Sequence, residues 1–220
     1  TAEAMRRFLD FVSSVTDIPI LMDGVSAGVR IAGLDYVKEC GLKNPIIYNS
    51  ILPEYRKEEI DKIKEVGMKN AVLLAFTTRE FTSEGRIKAI RELLPVVYSA
   101  GVENLLIDTA VIDIPTLGMA CRAIYELKKE FGLPLGAGAH NAIGTWRGLK
   151  TKMGPQATDP SMAVACAITV AAGADFVLYG PIEHADYMFP TIALVDAAYA
   201  QLAMERKKFP DRKHPIFKIA

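Results

Sequence analysis

The chain has 220 residues, half of them hydrophobic, and its 26 basic and 26 acidic side chains leave no net charge. That length and apolar content allow one domain with a substantial core, and the charge balance gives no electrostatic case for nucleic-acid binding. Three scattered cysteines, Cys40, Cys121 and Cys166, form neither a close-spaced metal motif nor a disulfide framework. Cys121 and Cys166 lie in helix-like sequence and read as buried thiols of a reducing, cytoplasmic setting. No uncharged apolar stretch reaches the roughly 18 residues of a membrane span, and neither a signal peptide nor an initiator Met is present.

From the amino terminus, helical periodicity covers 2–15, 26–40, 55–66, 83–99, 115–130, 160–172 and 188–205. Short apolar runs between them predict strands near 18–23, 45–51, 71–77, 104–110, 134–140 and 175–180. Runs such as Ala71-Val-Leu-Leu-Ala-Phe76 are continuously apolar, as parallel strands covered on both faces must be. Gly41, Gly67, Gly101, Gly132 and Gly173 each follow a helix, where a left-handed residue ends it. The result is six successive βα units in an α/β chain, most of a TIM (β/α)8-type barrel. Such barrels run to about eight units, so a single barrel domain over 1–220 is expected, lacking its first two units, roughly 70–100 amino-terminal residues. An open doubly wound sheet competes, but the glycine-rich phosphate fingerprint after its first strand is absent.

Four strand runs end on a carboxylate or amide: Asp23, Asn49, Asp108 and Asn141. In a parallel barrel the carboxyl ends of the strands face one side, where active sites sit. Each Asp alone could instead cap the following helix, and Asn49-Ser50 could be a plain turn. His140 and Asn141 follow Gly136-Ala-Gly138, whose small residues let a flat ligand approach the backbone closely. A metal held by His140 with Asp23 and Asp108 is the rival use of that histidine, although neither His184 nor His214 is spaced as its partner. No strand ends on a Schiff-base lysine, and no nucleophile elbow or Cys/His pair is present. Gly144 to Pro160, with Trp146, Arg147, Lys150 and Lys152, reads as a long polar loop after the fifth strand, and Arg147 is a candidate substrate contact. Trp146 is either a core aromatic or a lid. Tyr179, Glu183 and His184 either line the rim or belong to a turn at Gly180-Pro181. The basic segment Arg206–His214 is either a solvated tail or a docking segment.

The order Asp23, Asn49, Asp108, Asn141 at successive strand ends resembles the pterin-binding TIM barrels, which include dihydropteroate synthases and methyltetrahydrofolate methyltransferases. Tyr48-Asn-Ser-Ile51, Ile107-Asp-Thr-Ala-Val111, His140-Asn141, Asp175-Phe-Val-Leu-Tyr-Gly-Pro-Ile182 and Phe189-Pro190 most resemble the H-subunit family of tetrahydromethanopterin S-methyltransferase. The resemblance extends over the whole chain, as the carboxyl-terminal three quarters of such a protein. Dihydropteroate synthases resemble one another in a Ser-Arg-Lys-type element and an Arg-x-His element, and the matching places here read Ala139-His-Asn141 and Val177-Leu-Tyr179.

The resemblance implies methyl transfer between N5 of a methyl-tetrahydropterin, either tetrahydromethanopterin or tetrahydrofolate, and the cobalt of a cobamide on a partner corrinoid protein. It places Asp108 on the pterin's neighbouring N–H and NH2 donors, with Asn49 and Asp23 on other ring nitrogens. Gly138, His140 and Arg147 are further substrate contacts, and Asn141 is the catalytic donor to N5. No resident metal is implied. Partners would be the corrinoid protein and the other components of a membrane-bound methyltransferase complex, with a homo-oligomer expected and the protein either cytoplasmic or peripheral on that complex. The alternatives are a dihydropteroate-synthase-like or other TIM-barrel lyase, and a noncatalytic docking subunit.

Overall fold

The computed structural model describes residues 1–218, which group into two compact units, Thr1–Asp108 and a second beginning at Thr109. The first unit alternates α1 (Ala2–Val15), β1 (Ile20–Asp23), α2 (Ala27–Cys40), β2 (Ile46–Ile51), α3 (Lys57–Val66), β3 (Asn70–Leu74), α4 (Ser83–Ser99) and β4 (Asn104–Asp108). Its strands pair in parallel in sequence order, with Asp23 opposite Asn49 and Leu74 opposite Asp108. One extra residue between Asn49 and Ile51 shifts the register as a bulge in β2.

Local chemistry fixes the helix ends. Thr1, Ser26 and Thr82 accept from backbone N–H groups at the starts of α1, α2 and α4. Gly41 and Gly67 close α2 and α3 in the left-handed conformation, as the glycine spacing predicts. The core of this unit is built from fully buried Met22, Tyr48, Leu34, Ile63, Leu73 and Ile90. Burying each of the aliphatic side chains contributes about 1.5–3 kcal/mol. Among the described residues β1 pairs with β2 alone, and beside it runs an apolar groove of ≈ 330 Å³ between α1 and β1, lined by Met5, Phe8, Leu9, Leu21 and Val25.

The second unit contains α5 (Ile114–Phe131), β5 (Leu135–Ala137), α6 (His140–Gly144), α7 (Thr158–Ala171), β6 (Phe176–Val177) and α8 (Ala185–Glu205). β5 and β6 pair in parallel, with Gly136 opposite Phe176. Ala137, Ala139, Leu149, Met162, Cys166 and Met188 form its core. Among the described residues, no helix is long and apolar enough to cross a membrane.

The seven expected helices and six expected strands stand where the sequence places them; β1 and β2 start one or two residues later than expected, β3 and β4 stop short at their carboxyl ends, and β5 and β6 are shorter at both ends. The largest departure is at 134–140: β5 stops at Ala137, and Asn141 N–H donates to Gly138 O at 3.1 Å, so His140 and Asn141 open a short helix instead of ending a strand. The reason is local, since Gly138 and Ala139 carry no side chain bulk that would hold an extended backbone on the sheet. Gly144 to Pro160 is also more ordered than a polar loop: a π-helical turn spans Leu149–Met153, a 3-10 turn spans Pro155–Ala157, and Leu149 anchors the segment in the core. Trp146 packs against that core as well. Of the thiols, Cys166 is buried and pushed up to about 11 by burial, whereas Cys121 is only half-buried. Both remain protonated, inert thiols at neutral pH.

Candidate functional site

Partners in register on parallel strands point to the same face, and alternate residues along a strand return to it. Asp23 is level with Asn49, Asn49 with Val72, and Val72 with Leu106, two residues before Asp108. Asp23, Asn49 and Asp108 therefore share one face at the carboxyl ends of β1, β2 and β4. Asp23 is exposed, Asn49 half-buried and Asp108 buried. Neither the Asp23 carboxylate nor the Asn49 amide makes a hydrogen bond or ion pair among the described residues, so both are available to a ligand.

The helix-cap reading of the two aspartates does not hold. Ser26 caps α2, accepting from Val29 N–H at 3.4 Å, and Asp113 caps α5, accepting from Thr116 N–H at 3.0 Å. Ala110, two residues past Asp108, adopts φ 57, a left-handed conformation that costs a residue with a Cβ about 1 kcal/mol and recurs at functional sites.

The opposite face of the strand ends carries a buried ionic network that sequence reading did not anticipate. Arg30 on α2 donates from Nη1 to Gly24 O at 2.6 Å and from Nη2 to Glu59 Oε1 at 2.5 Å. Its Nε lies 3.0 Å from Tyr48 Oη and 3.1 Å from Glu59 Oε1, and Tyr48 Oη donates to the same carboxylate oxygen. Glu59 Oε2 also accepts from Arg56 N–H at 3.4 Å, closing the start of α3. Arg30 packs so closely that a Cβ on Gly24 would stand 2.9 Å from its Cγ, so only glycine fits there. A buried charge at the fourth position of an otherwise apolar helix start is the sequence signal that marks Arg30; its partner is invisible until α2 and α3 are brought together.

Burial by itself raises the Glu59 carboxyl, but the Tyr48 hydroxyl and the Arg30 guanidinium outweigh it and hold the group below the ordinary carboxylate value. Burial, with the Glu59 hydrogen bond, pushes the Tyr48 phenol up and keeps it neutral. A carboxyl with a depressed folded-state value stabilises the fold fully above its unfolded value and loses that contribution as pH falls through the folded one. The melting temperature of the parent is therefore expected to fall more steeply below the ordinary carboxyl range than that of Glu59→Gln. The variant starts lower, because its Arg30 is a buried charge without its counter-ion. Parallel melting curves from pH 7 to pH 3 would contradict this.

In the second unit, His140 Nδ1 lies 2.7 Å from Leu178 O. A carbonyl only accepts, so Nδ1 carries the proton and a neutral ring presents Nε2 as an acceptor. Gly180 makes room for that ring: its φ is +91, and a Cβ there would meet His140 Cδ2 at 3.0 Å. Asn141 Nδ2 donates to Val111 O at 3.1 Å. This orients the amide and leaves its second N–H and its Oδ1 unpaired among the described residues. Arg147 is exposed and without an ion pair among them, following Trp146 on the turn after α6. Tyr179 packs edge-on to Phe189 with centroids 6.1 Å apart, and its partial burial against the core makes it structural. Glu183 is exposed, and the His184 ring lies tilted against Tyr187 with centroids 5.3 Å apart. An apolar groove of ≈ 200 Å³ along β6 and α8 is lined by Phe176, Val177, Phe189 and Tyr179, and by none of Asp23, Asn49, Asp108, Gly138, His140, Asn141 and Arg147. No three His, Cys, Asp or Glu side chains gather as a metal centre requires among the described residues.

The family model for the tetrahydromethanopterin S-methyltransferase MtrH subunit matches residues 1–208. The chain belongs to this family. It is 34% identical to the H subunit of tetrahydromethanopterin S-methyltransferase from Methanothermobacter thermautotrophicus, covering 100% of this chain and 74% of that protein. It is 31% identical to the H subunit of the putative methyltransferase mtx from Methanosarcina mazei, over 98% of this chain and 73% of that one. Membership of the MtrH family makes the chain an enzyme of methyl transfer. Among solved structures, a Xanthomonas albilineans dihydropteroate synthase, bound to indole-2-carboxylic acid and 6-chloroguanine, superposes with a TM-score of 0.51 at 15% identity. The match covers 90% of this chain and 86% of that one. That likeness is one of fold, and it places the six βα units in the TIM-barrel class.

Proposed function

We propose that this MtrH-family chain binds a methyl-tetrahydropterin and moves its N5 methyl group to or from the cobalt of a corrinoid protein. The observation that carries this reading is the shared face of Asp23, Asn49 and Asp108, where two of the three polar groups have no partner among the described residues. A pterin edge offers adjacent N–H and NH2 donors, which one carboxylate accepts as a pair; Asp108 is assigned that edge. Asn49 and Asp23 take other ring nitrogens, Gly138 lets the ring approach the backbone, His140 accepts through Nε2, and Arg147 meets an anionic part of the substrate.

An amine anion is a poor leaving group, so the departing N5 must receive a proton or a strong hydrogen bond as its bond to methyl breaks. The electron pair of that bond stays on N5, and the pair that forms the new bond to methyl comes from reduced cobalt on the partner. The residues of this chain bind and orient the pterin and stabilise charge at N5, with the free N–H of Asn141 as the hydrogen-bond donor, while the proton that ends on N5 comes from solvent water. Tetrahydromethanopterin is the preferred pterin, in keeping with the family, and tetrahydrofolate shares the same ring.

The test is calorimetric titration with methyltetrahydromethanopterin and methyltetrahydrofolate, followed by transfer to free reduced cobalamin. Saturable binding of at least one pterin and methylation of cobalt are expected. Binding of neither would remove the proposal.

A further inference from the structure

We infer that Arg30, Glu59 and Tyr48 are positioning residues that hold Asp23 and Asn49 in place for the substrate, an inference that rests on those two residues touching the pterin. The network joins the two strand ends, through the backbone carbonyl of Gly24 and the side-chain hydroxyl of Tyr48. Arg30 Nη1 fixes the carbonyl of Gly24, the residue after Asp23, at 2.6 Å. Tyr48, the residue before Asn49, is anchored through its hydroxyl to Glu59 and to Arg30 Nε. Asp23 and Asn49 face each other across the β1–β2 ladder, and their neighbours Gly24 and Tyr48 are tied to one guanidinium.

All three side chains of the network are buried, at 9% exposure for Arg30, 6% for Glu59 and 0% for Tyr48, and they lie on the face away from Asp23 and Asn49. They act through the backbone and not by contact with the ligand. The design suits a site whose own groups are left unpaired, because Asp23 and Asn49 have no hydrogen bond of their own among the described residues to fix them. Precision must then come from the supporting layer. Arginine is needed at position 30 because its planar fork reaches the Gly24 carbonyl and the Glu59 carboxylate from different nitrogens, whereas lysine offers a single nitrogen.

The test is a pair of double-mutant cycles read by calorimetric binding of methyltetrahydromethanopterin to the full chain, beside melting temperature. One cycle combines Arg30→Lys with Asp23→Ala; the other combines Tyr48→Phe, which deletes a single hydroxyl, with Asn49→Ala. Arg30→Lys is expected to weaken binding roughly 10-fold or more and Tyr48→Phe roughly 3- to 10-fold. In the Asp23→Ala and Asn49→Ala backgrounds the same changes should add less than about twofold, because the residue they position is gone. Full multiplication of the losses would overturn the inference and mark the network as purely structural, as would parent-like binding by folded Arg30→Lys and Tyr48→Phe. Parent-like binding by Asp23→Ala and Asn49→Ala would instead strike the substrate reading itself, and the inference with it. Should Arg30→Lys fail to fold, the Tyr48 cycle decides alone.

Discussion

Asn141→Ala is expected to lower the single-turnover rate of methyl transfer by roughly 10²–10³, the scale of one lost transition-state hydrogen bond. Ground-state pterin binding should change by only a few-fold, since in the proposed assignment Asp108 and Asn49 would still hold the ring. The structure sharpens this expectation, because one amide N–H is already committed to Val111 O at 3.1 Å and the other is free. The committed bond orients the amide; the free one can donate to N5 as charge appears there, without titrating. A residue that served only to tie α6 to Val111 would give the reverse pattern, a lower melting temperature with a normal rate per folded molecule. Measuring both quantities on one preparation decides, and a normal rate would end the catalytic assignment.

Asp108→Asn should weaken pterin binding by about 2–4 kcal/mol, roughly a 30- to 1000-fold rise in dissociation constant. The substitution keeps the shape but, in the proposed assignment, turns an acceptor into a donor that would face the pterin's own donors. Asp113 caps the helix that follows, so helix capping is not available as a competing explanation for Asp108. A dissociation constant within twofold of the parent would show that Asp108 does not meet the pterin.

These two residues differ in how well the sequence locates them. Asp108 ends β4 as its apolar run Leu105-Leu-Ile107 indicates, and its face follows from ladder parity alone. Asn141 was legible as a residue but not as a position. Gly136-Ala-Gly138 looks like the end of a strand to any periodicity argument, whereas in the fold the chain leaves the sheet at Ala137 and turns into α6. Gly144 to Pro160 misled for a related reason: its lysines and glycines give it the composition of a loop, but Leu149 and Trp146 find a core supplied by α7 and α8.

The sequence by itself determined the succession of strands and helices, because apolar runs, caps and terminal glycines act over a few residues and need no distant partner. It also placed Asp23 and Asp108 at the ends of β1 and β4, and the order of its polar residues carried the family resemblance. Only the tertiary structure decided what those residues are free to do. Ser26 and Asp113 perform the helix capping that Asp23 and Asp108 could have performed. Likewise Tyr48 and Glu59 stand 18 and 29 residues from Arg30, and nothing local pairs them. A buried charge is tolerated only when its counter-charge is delivered by another element, and that pairing is made by packing α2 and α3 on the same sheet face.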